Sequence, residues 1–386
     1  MGNVPKGYKQ TEVGVIPSDW EVRKLGEIAD VATGNTPPTK DQSNYGNDFF
    51  FVSPADLGKG KYITDTEKKL SKKGFEISRK FPANSILFTC IGSTIGKSGI
   101  APKELTSNQQ INAIFPDDSF YTDYLFYALN LLSPRIKSLA GEQAVPIINK
   151  SEFEETLIPL PPTKAEQSAI AAALSDADAL ISSLEKLIAK KRNIKQGAMQ
   201  QLLTGKKRLP GFSGKWEVQS LKTISSSVVS GKSKNKSETG IFTVFGSTGI
   251  IGFNSSYDYE GQKILIARVG ANAGTTNIVD GKYCVSDNTL IVDLKKDNDF
   301  LFVFYFLKHS HLNNLVFGSG QPLITGSQLK DLNIPLPPTK AEQAAIAQIL
   351  SDMDAEIEAL EQKLHKYRMI KQGMMQKLLT GKTRLI

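Results

Sequence analysis

The feature that most constrains this chain is a near-duplicate. Ile158–Leu209 and Ile334–Leu385 align without a gap at a constant offset of 176 residues, and 36 of the 52 positions are identical. Both copies open on Ile-Pro-Leu-Pro-Pro-Thr-Lys-Ala-Glu-Gln and close on Leu-Leu-Thr-Gly-Lys-x-Arg-Leu. The stretches ahead of each copy show no such overall match. Internal repeats outrank local motifs as evidence of fold, so the pattern predicts one scaffold element used twice, carrying two different inserts. A length of 386 residues points to two domains or more.

Each repeat reads as one long helix. Thr163 and Thr339 take the N-cap position, and Glu166 and Glu342 follow three residues later, as in a capping box. Apolar residues fall at Ile346, Leu350, Met353, Ile357, Leu360, Leu364 and Tyr367. The first copy supplies Ile170, Leu174, Ala177, Ile181, Leu184 and Ile188. Alternating steps of four and three make a coiled-coil seam. Lys191, Lys195 and Lys371 then land on the seam, where regular packing is expected to weaken. Gly205 and Gly381 mark the stops. A helix of about 40 residues would be about 60 Å long. Two such seams in one chain predict an antiparallel pair, because the second variable region must carry the chain back.

Each variable region runs from a tryptophan to the next Pro-rich segment. Trp20 lies in GVIPSDWEV and Trp216 in GFSGKWEV, and the first region is longer by about 20 residues. SILFTCIGSTIGKSGI (Ser85–Ile100) and KILIARVGANAGTTNI (Lys263–Ile278) each read as strand, glycine-bounded turn and strand. SNQQINAIF and SDNTLIVDL follow as further strands. The aromatic segments FYTDYLFYALNLL and FLFVFYFLKHS are too continuously apolar for a wet groove and read as core helices. Each region is therefore expected to be an α+β domain.

Composition excludes several classes. Forty per cent apolar and 22% charged residues suit an ordinary globular protein. No apolar run reaches the roughly 18–20 residues of a membrane span, and the first residues lack the apolar core of a signal peptide. Cys90 and Cys284 are the only cysteines, which predicts a reducing, cytoplasmic setting without disulfides. The net charge is +8, unevenly placed. Lys186–Lys215 holds nine basic residues and no acidic one, and seven more basic residues follow Glu361 with no acid among them. A duplicated basic stripe predicts contact with nucleic-acid phosphates. The alternative is a solvated helix end whose cations complement the macrodipole.

Motifs for catalysis are missing. GSTIGKS has three residues between its glycines where a phosphate-binding P-loop needs four. Asn35-Thr36-Pro37-Pro38 is not the Asn-Pro-Pro-aromatic type that holds an adenine amino group. His309 and His311 have no Cys or carboxylate companions at metal spacing. The three histidines all fall in the second half, although a duplicated catalyst would need them in both. No catalytic, cofactor-binding or metal-ligating residue is expected. What remains is a set of polar turns. In the first region these are Thr33, Asn35 and Thr36; Ser93, Thr94 and Lys97; Asn108, Gln109 and Gln110; and Gln143. In the second they are Ser230 and Lys232; Ser247 and Thr248; Arg268 and Asn272; Asn288; and Gln321. Asn and Gln pair bidentately with adenine and Arg with guanine in the major groove, while lysines suit phosphates.

These repeats, the opening GVIPSDWEV, and the segments FTCIGSTIGKSGI, SNQQINAIF and VFGSTGIIGF together resemble the specificity subunits of type I restriction–modification systems. The resemblance covers almost the whole chain. It implies an α+β fold with a pseudo-twofold internal repeat: two target recognition domains separated by two long antiparallel coiled-coil helices. Residues 1–157 would hold the first recognition domain, 158–210 the first helical spacer, 211–333 the second recognition domain and 334–386 the second spacer. It further implies double-stranded DNA as ligand, read as a bipartite asymmetric target, with two methyltransferase subunits and restriction subunits as partners that supply the chemistry. Glu166, Gln167, Glu342 and Gln343, in the repeated segments, would take part in docking them. The competing readings are a non-catalytic DNA-binding scaffold in another DNA-targeting or anti-phage system, a stand-alone nuclease or methyltransferase, and a purely structural coiled coil. The seam itself is open to test. Leu184→Asp combined with Leu360→Asp should abolish folding, monitored by circular dichroism and solubility, and a soluble, unperturbed double variant would rule out the helix pairing.

Overall fold

The computed structural model describes residues 4–141, 144–233, 240–316 and 323–385. The chain divides into two compact units, Met1–Ser183 with Leu364–Ile386, and Leu184–Lys363. The division runs through both long helices, Lys164–Leu202 and Lys340–Leu378. Each unit thus comprises one variable region and a part of each helix.

In the first unit a four-stranded antiparallel core sheet has the order Val31–Thr33, Ile111–Ile114, Ile86–Thr89, Ser98–Ile100. A second sheet joins Thr106–Ser107, Phe49–Val52, Lys68–Leu70 and Tyr45–Gly46. The aromatic helix Thr122–Ser138 covers the core sheet, with Tyr124, Leu125, Phe126, Tyr127 and Leu129 buried. Its apolar stretch is core, as its continuous hydrophobicity predicts. Strand Glu21–Lys24 pairs antiparallel with Leu157–Leu160, so the chain enters and leaves the domain side by side.

The second unit repeats this plan. Its core sheet has the order Ser225–Ser230, Thr289–Leu294, Lys263–Ala267, Thr276–Val279. Its second sheet joins Gly249–Asn254, Phe242–Gly246, Lys282–Val285 and Tyr259–Glu260. Helix Phe300–His309 buries Phe302 through Leu307. Strands Glu217–Ser220 and Asn333–Leu336 close the base.

Within each unit the long helices run antiparallel. In the first, Lys371 meets Asp178 and Arg384 meets Glu166. In the second, Lys191 meets Glu356, Lys195 meets Asp354 and Arg208 meets Glu342. Partner numbers fall as the first number rises. The apolar seam supports the same pairing: Ile170 and Leu174 share a core with Leu378 and Leu379, and Met199 and Leu202 share one with Ile346 and Leu350.

Three expectations need qualifying. The seam lysines are not left unpartnered. Lys195 is only 8% exposed and is neutralised by Asp354 of the facing helix. Nor is the basic stripe wholly free for phosphates, because Lys191, Arg192, Lys195, Arg208, Lys371 and Arg384 are held in intrachain ion pairs. Finally, Glu166, Gln167, Glu342 and Gln343 are buried and engaged internally, which removes their side chains from any docking surface. Gln167 accepts from the Tyr121 amide at 2.7 Å and Gln343 from the Asp299 amide at 2.8 Å. Arg208 grips the Glu342 carboxylate through Nε at 2.5 Å and Nη2 at 2.7 Å, and Arg384 grips Glu166 in the same two-pronged way. Thr163 and Thr339 cap the helix starts by accepting from the Glu166 and Glu342 amides. The carboxylates that a capping box would turn back to the cap are held by the arginines instead, whose fork matches a carboxylate bidentately.

Removing the arginine should expose the cost of this arrangement. Arg384→Ala strands a Glu166 side chain that is 3% exposed. Loss of one partner of a buried pair should destabilise the first unit by about 3 kcal/mol. Adding Glu166→Gln should recover part of that loss in urea denaturation. An unchanged midpoint for the single variant would contradict the role given to the pair.

Candidate nucleic-acid interface

The predicted polar turns converge because of sheet register. In the first core sheet Thr33 pairs with Asn112, Ile111 with Thr89, and Phe88 with Ser98. Antiparallel neighbours therefore place three segments at one end of the sheet: 33–36, 90–97 and 108–110. They are knitted by polar contacts. Thr36 Oγ1 donates to Gln109 Oε1 at 2.6 Å, Asn108 Nδ2 to Gln110 Oε1 at 2.9 Å, and Thr33 Oγ1 to Asn112 Oδ1 at 2.7 Å. Ser93, Lys97 and Gln109 are exposed, while Asn35, Thr36 and Thr94 are half-buried. Gln143 lies outside the described residues.

Gly34 explains how the turn at 33–36 lies so close to its neighbour. A Cβ there would stand 2.2 Å from Ser107 Oγ and 2.3 Å from the Asn108 carbonyl oxygen. Two participants escaped the sequence reading. Arg79 is exposed and donates through Nη1 to the Thr33 carbonyl at 2.5 Å, while its amide donates to Asn35 Oδ1 at 2.5 Å. Asn112 is buried and its Nδ2 donates to Cys90 Sγ at 3.3 Å. Burial pushes the Cys90 thiol up to about 12, so it stays neutral in the floor of the site.

The second unit builds the same end from other side chains. Ser230 pairs with Leu290, Ala267 with Thr289 and Ile266 with Thr276, which gathers 230–232, 268–275 and 286–288. The Arg268 amide donates to the Asn288 carbonyl at 3.1 Å, as the Cys90 amide does to Gln110 at 2.8 Å. Arg268 Nη1 donates to Ser230 Oγ at 2.7 Å. Gly231 repeats the close approach of Gly34, with a Cβ falling 2.2 Å from the Val285 carbonyl oxygen. Ser247 and Thr248 form the tip of a hairpin between Phe242–Gly246 and Gly249–Asn254. The Ser286 amide donates to the Phe245 carbonyl at 2.8 Å, which brings that tip beside the 286–288 turn. Lys232, Asn272 and Asn288 are exposed, and Gln321 lies outside the described residues.

The two ends share backbone geometry and differ in chemistry. A cysteine floors the first where a guanidinium floors the second, and Gln109 stands exposed in one where Asp287 stands exposed in the other. A cleft of about 650 Å³ in the second unit is lined instead by Arg192, Lys195, Lys308, His309 and His311, none of them in the predicted polar turns, although Arg192 and Lys195 belong to the basic stripe. Among the described residues, no group of three or more His, Cys, Asp or Glu side chains could hold a metal ion. No helix among them is long and apolar enough to cross a membrane.

Residues 17–196 and 207–366 match the family model described as the type I restriction modification DNA specificity domain. The chain belongs to this family. Its relatives include three proteins of Methanocaldococcus jannaschii. The putative type I restriction enzyme MjaX specificity subunit is 30% identical, over 98% of this chain and 97% of the relative. The MjaVIII specificity subunit is 29% identical, over 98% and 96%. A third, the MjaIX specificity subunit, is 36% identical over 185 residues, 46% of this chain and 42% of the relative. Among solved structures, the type I S subunit from M. genitalium superposes with a TM-score of 0.65 at 19% identity, covering 93% of this chain and 96% of that one. That likeness concerns the fold, and it supports the α+β architecture repeated in both units.

The close approaches can be tested directly. Gly34→Ala and Gly231→Ala should each lose about 1–3 kcal/mol of stability from overpacking. Gly60→Ala, where an added Cβ meets nothing within 4 Å, should stay within about 0.5 kcal/mol of wild type. Equal midpoints for all three in thermal denaturation would contradict the described backbone packing.

Proposed function

We propose that this chain is the specificity subunit of a type I restriction–modification complex, reading a bipartite asymmetric site in double-stranded DNA. Each unit presents one polar sheet end to one half-site. Asn, Gln and Arg side chains there recognise base edges, and Lys97, Lys232 and Arg79 meet phosphates. The observation that carries this reading is the pair of polar ends: the same backbone scaffold, fitted with unlike side chains. Identical ends would read a symmetric site, whereas unlike ends read two different half-sites.

The chemistry is delegated. Methylating an adenine in a duplex requires flipping it into an enzyme pocket. Two methyltransferase subunits, docked on the repeated helical segments, supply that pocket and bind S-adenosylmethionine. Restriction subunits joined to the same core supply ATP-driven translocation and cleavage. The chain itself is non-catalytic and works in the cytoplasm, where its DNA is. Since Glu166, Gln167, Glu342 and Gln343 are internally engaged, docking falls to the exposed faces of the long helices.

Methylated adenines mapped across the genome, with and without this gene, test the proposal. A bipartite motif with two unlike half-sites should vanish with the gene. Persistence of all methylation would sink the reading. In the same assay, inserting four helical residues into both long helices should lengthen the spacer and leave the half-site bases unchanged. Altered half-sites would show that the helices, not the sheet ends, read sequence.

A further inference from the structure

Each unit holds a half-buried polar cluster, built on a buried tyrosine, that neither base reading nor subunit docking uses. In the first, Tyr127 on the aromatic helix donates its hydroxyl to Asp178 at 2.7 Å and lies 3.3 Å from Ser175 Oγ. Lys371, from the other long helix, pairs with the same carboxylate at 2.5 Å and stands 5.4 Å above the Tyr127 ring. In the second, Tyr305 donates to Asp354 at 2.9 Å, and Lys195 pairs with Asp354 and stands 5.0 Å above the Tyr305 ring. Asp178 and Asp354 are repeat equivalents, as are Lys195 and Lys371. The tyrosines are not part of the repeat. They come from aromatic helices of otherwise different sequence, yet both supply a hydroxyl at the same place.

Each cluster ties three elements at one point: a recognition domain, one long helix and its antiparallel neighbour. Apart from the bonds of Gln167 and Gln343 to the starts of the aromatic helices and of Lys61 to Ser175, much of that junction is apolar, and apolar seams are tolerant. A pattern repeating every three to four residues offers nearly the same contacts after a slip of one turn, about 5.4 Å. Such a slip equals roughly one to two base pairs of DNA, which rises about 3.4 Å per pair. A directional bond to a single carboxylate has no equivalent one turn away. Asp178 and Asp354 are 31% and 43% exposed, so the ion pairs themselves add little net stability; the best attested use of such polar contacts in an apolar seam is fixing register. Burial and then the aspartate hold both phenols well above their usual range, so the hydroxyl remains a donor wherever the protein is folded.

We infer that Tyr127–Asp178–Lys371 and Tyr305–Asp354–Lys195 are positioning residues that fix the seat of each recognition domain on the helix pair, and so the number of base pairs accepted between half-sites. The inference rests on the function proposed above and concerns spacing alone. The Tyr127 lock carries an extra brace: Lys61 donates to Ser175 Oγ at 2.8 Å and pairs with Asp123 at 2.7 Å.

The test uses the full chain assembled with its methyltransferase subunits and unmethylated genomic DNA, which presents every half-site pair at many spacings. Methylated adenines are read by sequencing. The Tyr127→Phe/Tyr305→Phe variant keeps both rings and removes both hydroxyls. Its preference for the native spacer over spacers one base pair longer or shorter should fall at least about tenfold, the factor expected from losing one charge-assisted hydrogen bond, with half-site bases unchanged. Asp178→Asn/Asp354→Asn should act in the same direction. Ile86→Val/Ile264→Val, which loosens both cores without touching a lock, should keep the native spacer. An unchanged spacer preference in both lock variants overturns the inference, as does equal broadening in the core variant. If a lock variant fails to assemble, the milder Lys371→Arg/Lys195→Arg variant, which keeps the charge and alters the geometry, decides by the same spacer readout. A wild-type complex that yields no bipartite motif would instead sink the proposed function.

Discussion

The architecture rests on a carboxylate that has no business being buried alone. Glu342 is fully buried and Glu166 nearly so, and an ionised carboxylate out of water is costly unless paired. The partner comes from the closing Arg of the opposite repeat copy, Arg208 for Glu342 and Arg384 for Glu166. Each guanidinium also lies over the tryptophan that opens a variable region, 5.8 Å above Trp216 and 5.9 Å above Trp20. Each glycine stop completes the joint, since a Cβ on Gly205 or Gly381 would press on those same indoles. One arginine therefore joins the start of one long helix, the end of the other and the root of a recognition domain. This requirement accounts for the repetition of whole segments, including their termini, rather than of isolated motifs.

Constancy at the joint permits variation elsewhere. The sheet ends lie away from it in the topology and are built from turns whose backbone is set by register and by two close-packed glycines, Gly34 and Gly231. Side chains in the turns can then differ without disturbing the core. That division suits a member of a DNA specificity family.

Much of this was legible in the sequence, for physical reasons. Helices with a sustained seam, a Thr N-cap and a Gly stop carry local signals at every level, and they form where expected. Glycine-bounded turns between apolar runs gave the hairpins, and continuous hydrophobicity placed the aromatic helices in the core. Side-chain partners were not legible, because they lie far apart in the chain. Lys371 reads as a flaw in a seam until Asp178, 193 positions away, is found facing it. Glu166 and Glu342 read as capping residues until the arginines claim them. Arg79 carries no motif and joins the site only because the fold lays it against Thr33. Gln109 and Thr36, by contrast, read as separate turns and meet because strand register demands it.

The most direct test of the account replaces Gln109 and Asn288, one at a time, with a photo-cross-linking residue and maps the DNA bases each one captures in the assembled complex. The account predicts that position 109 captures bases of one half-site and position 288 bases of the other, with none shared. Capture of the same half-site by both, or of DNA by neither, would contradict it.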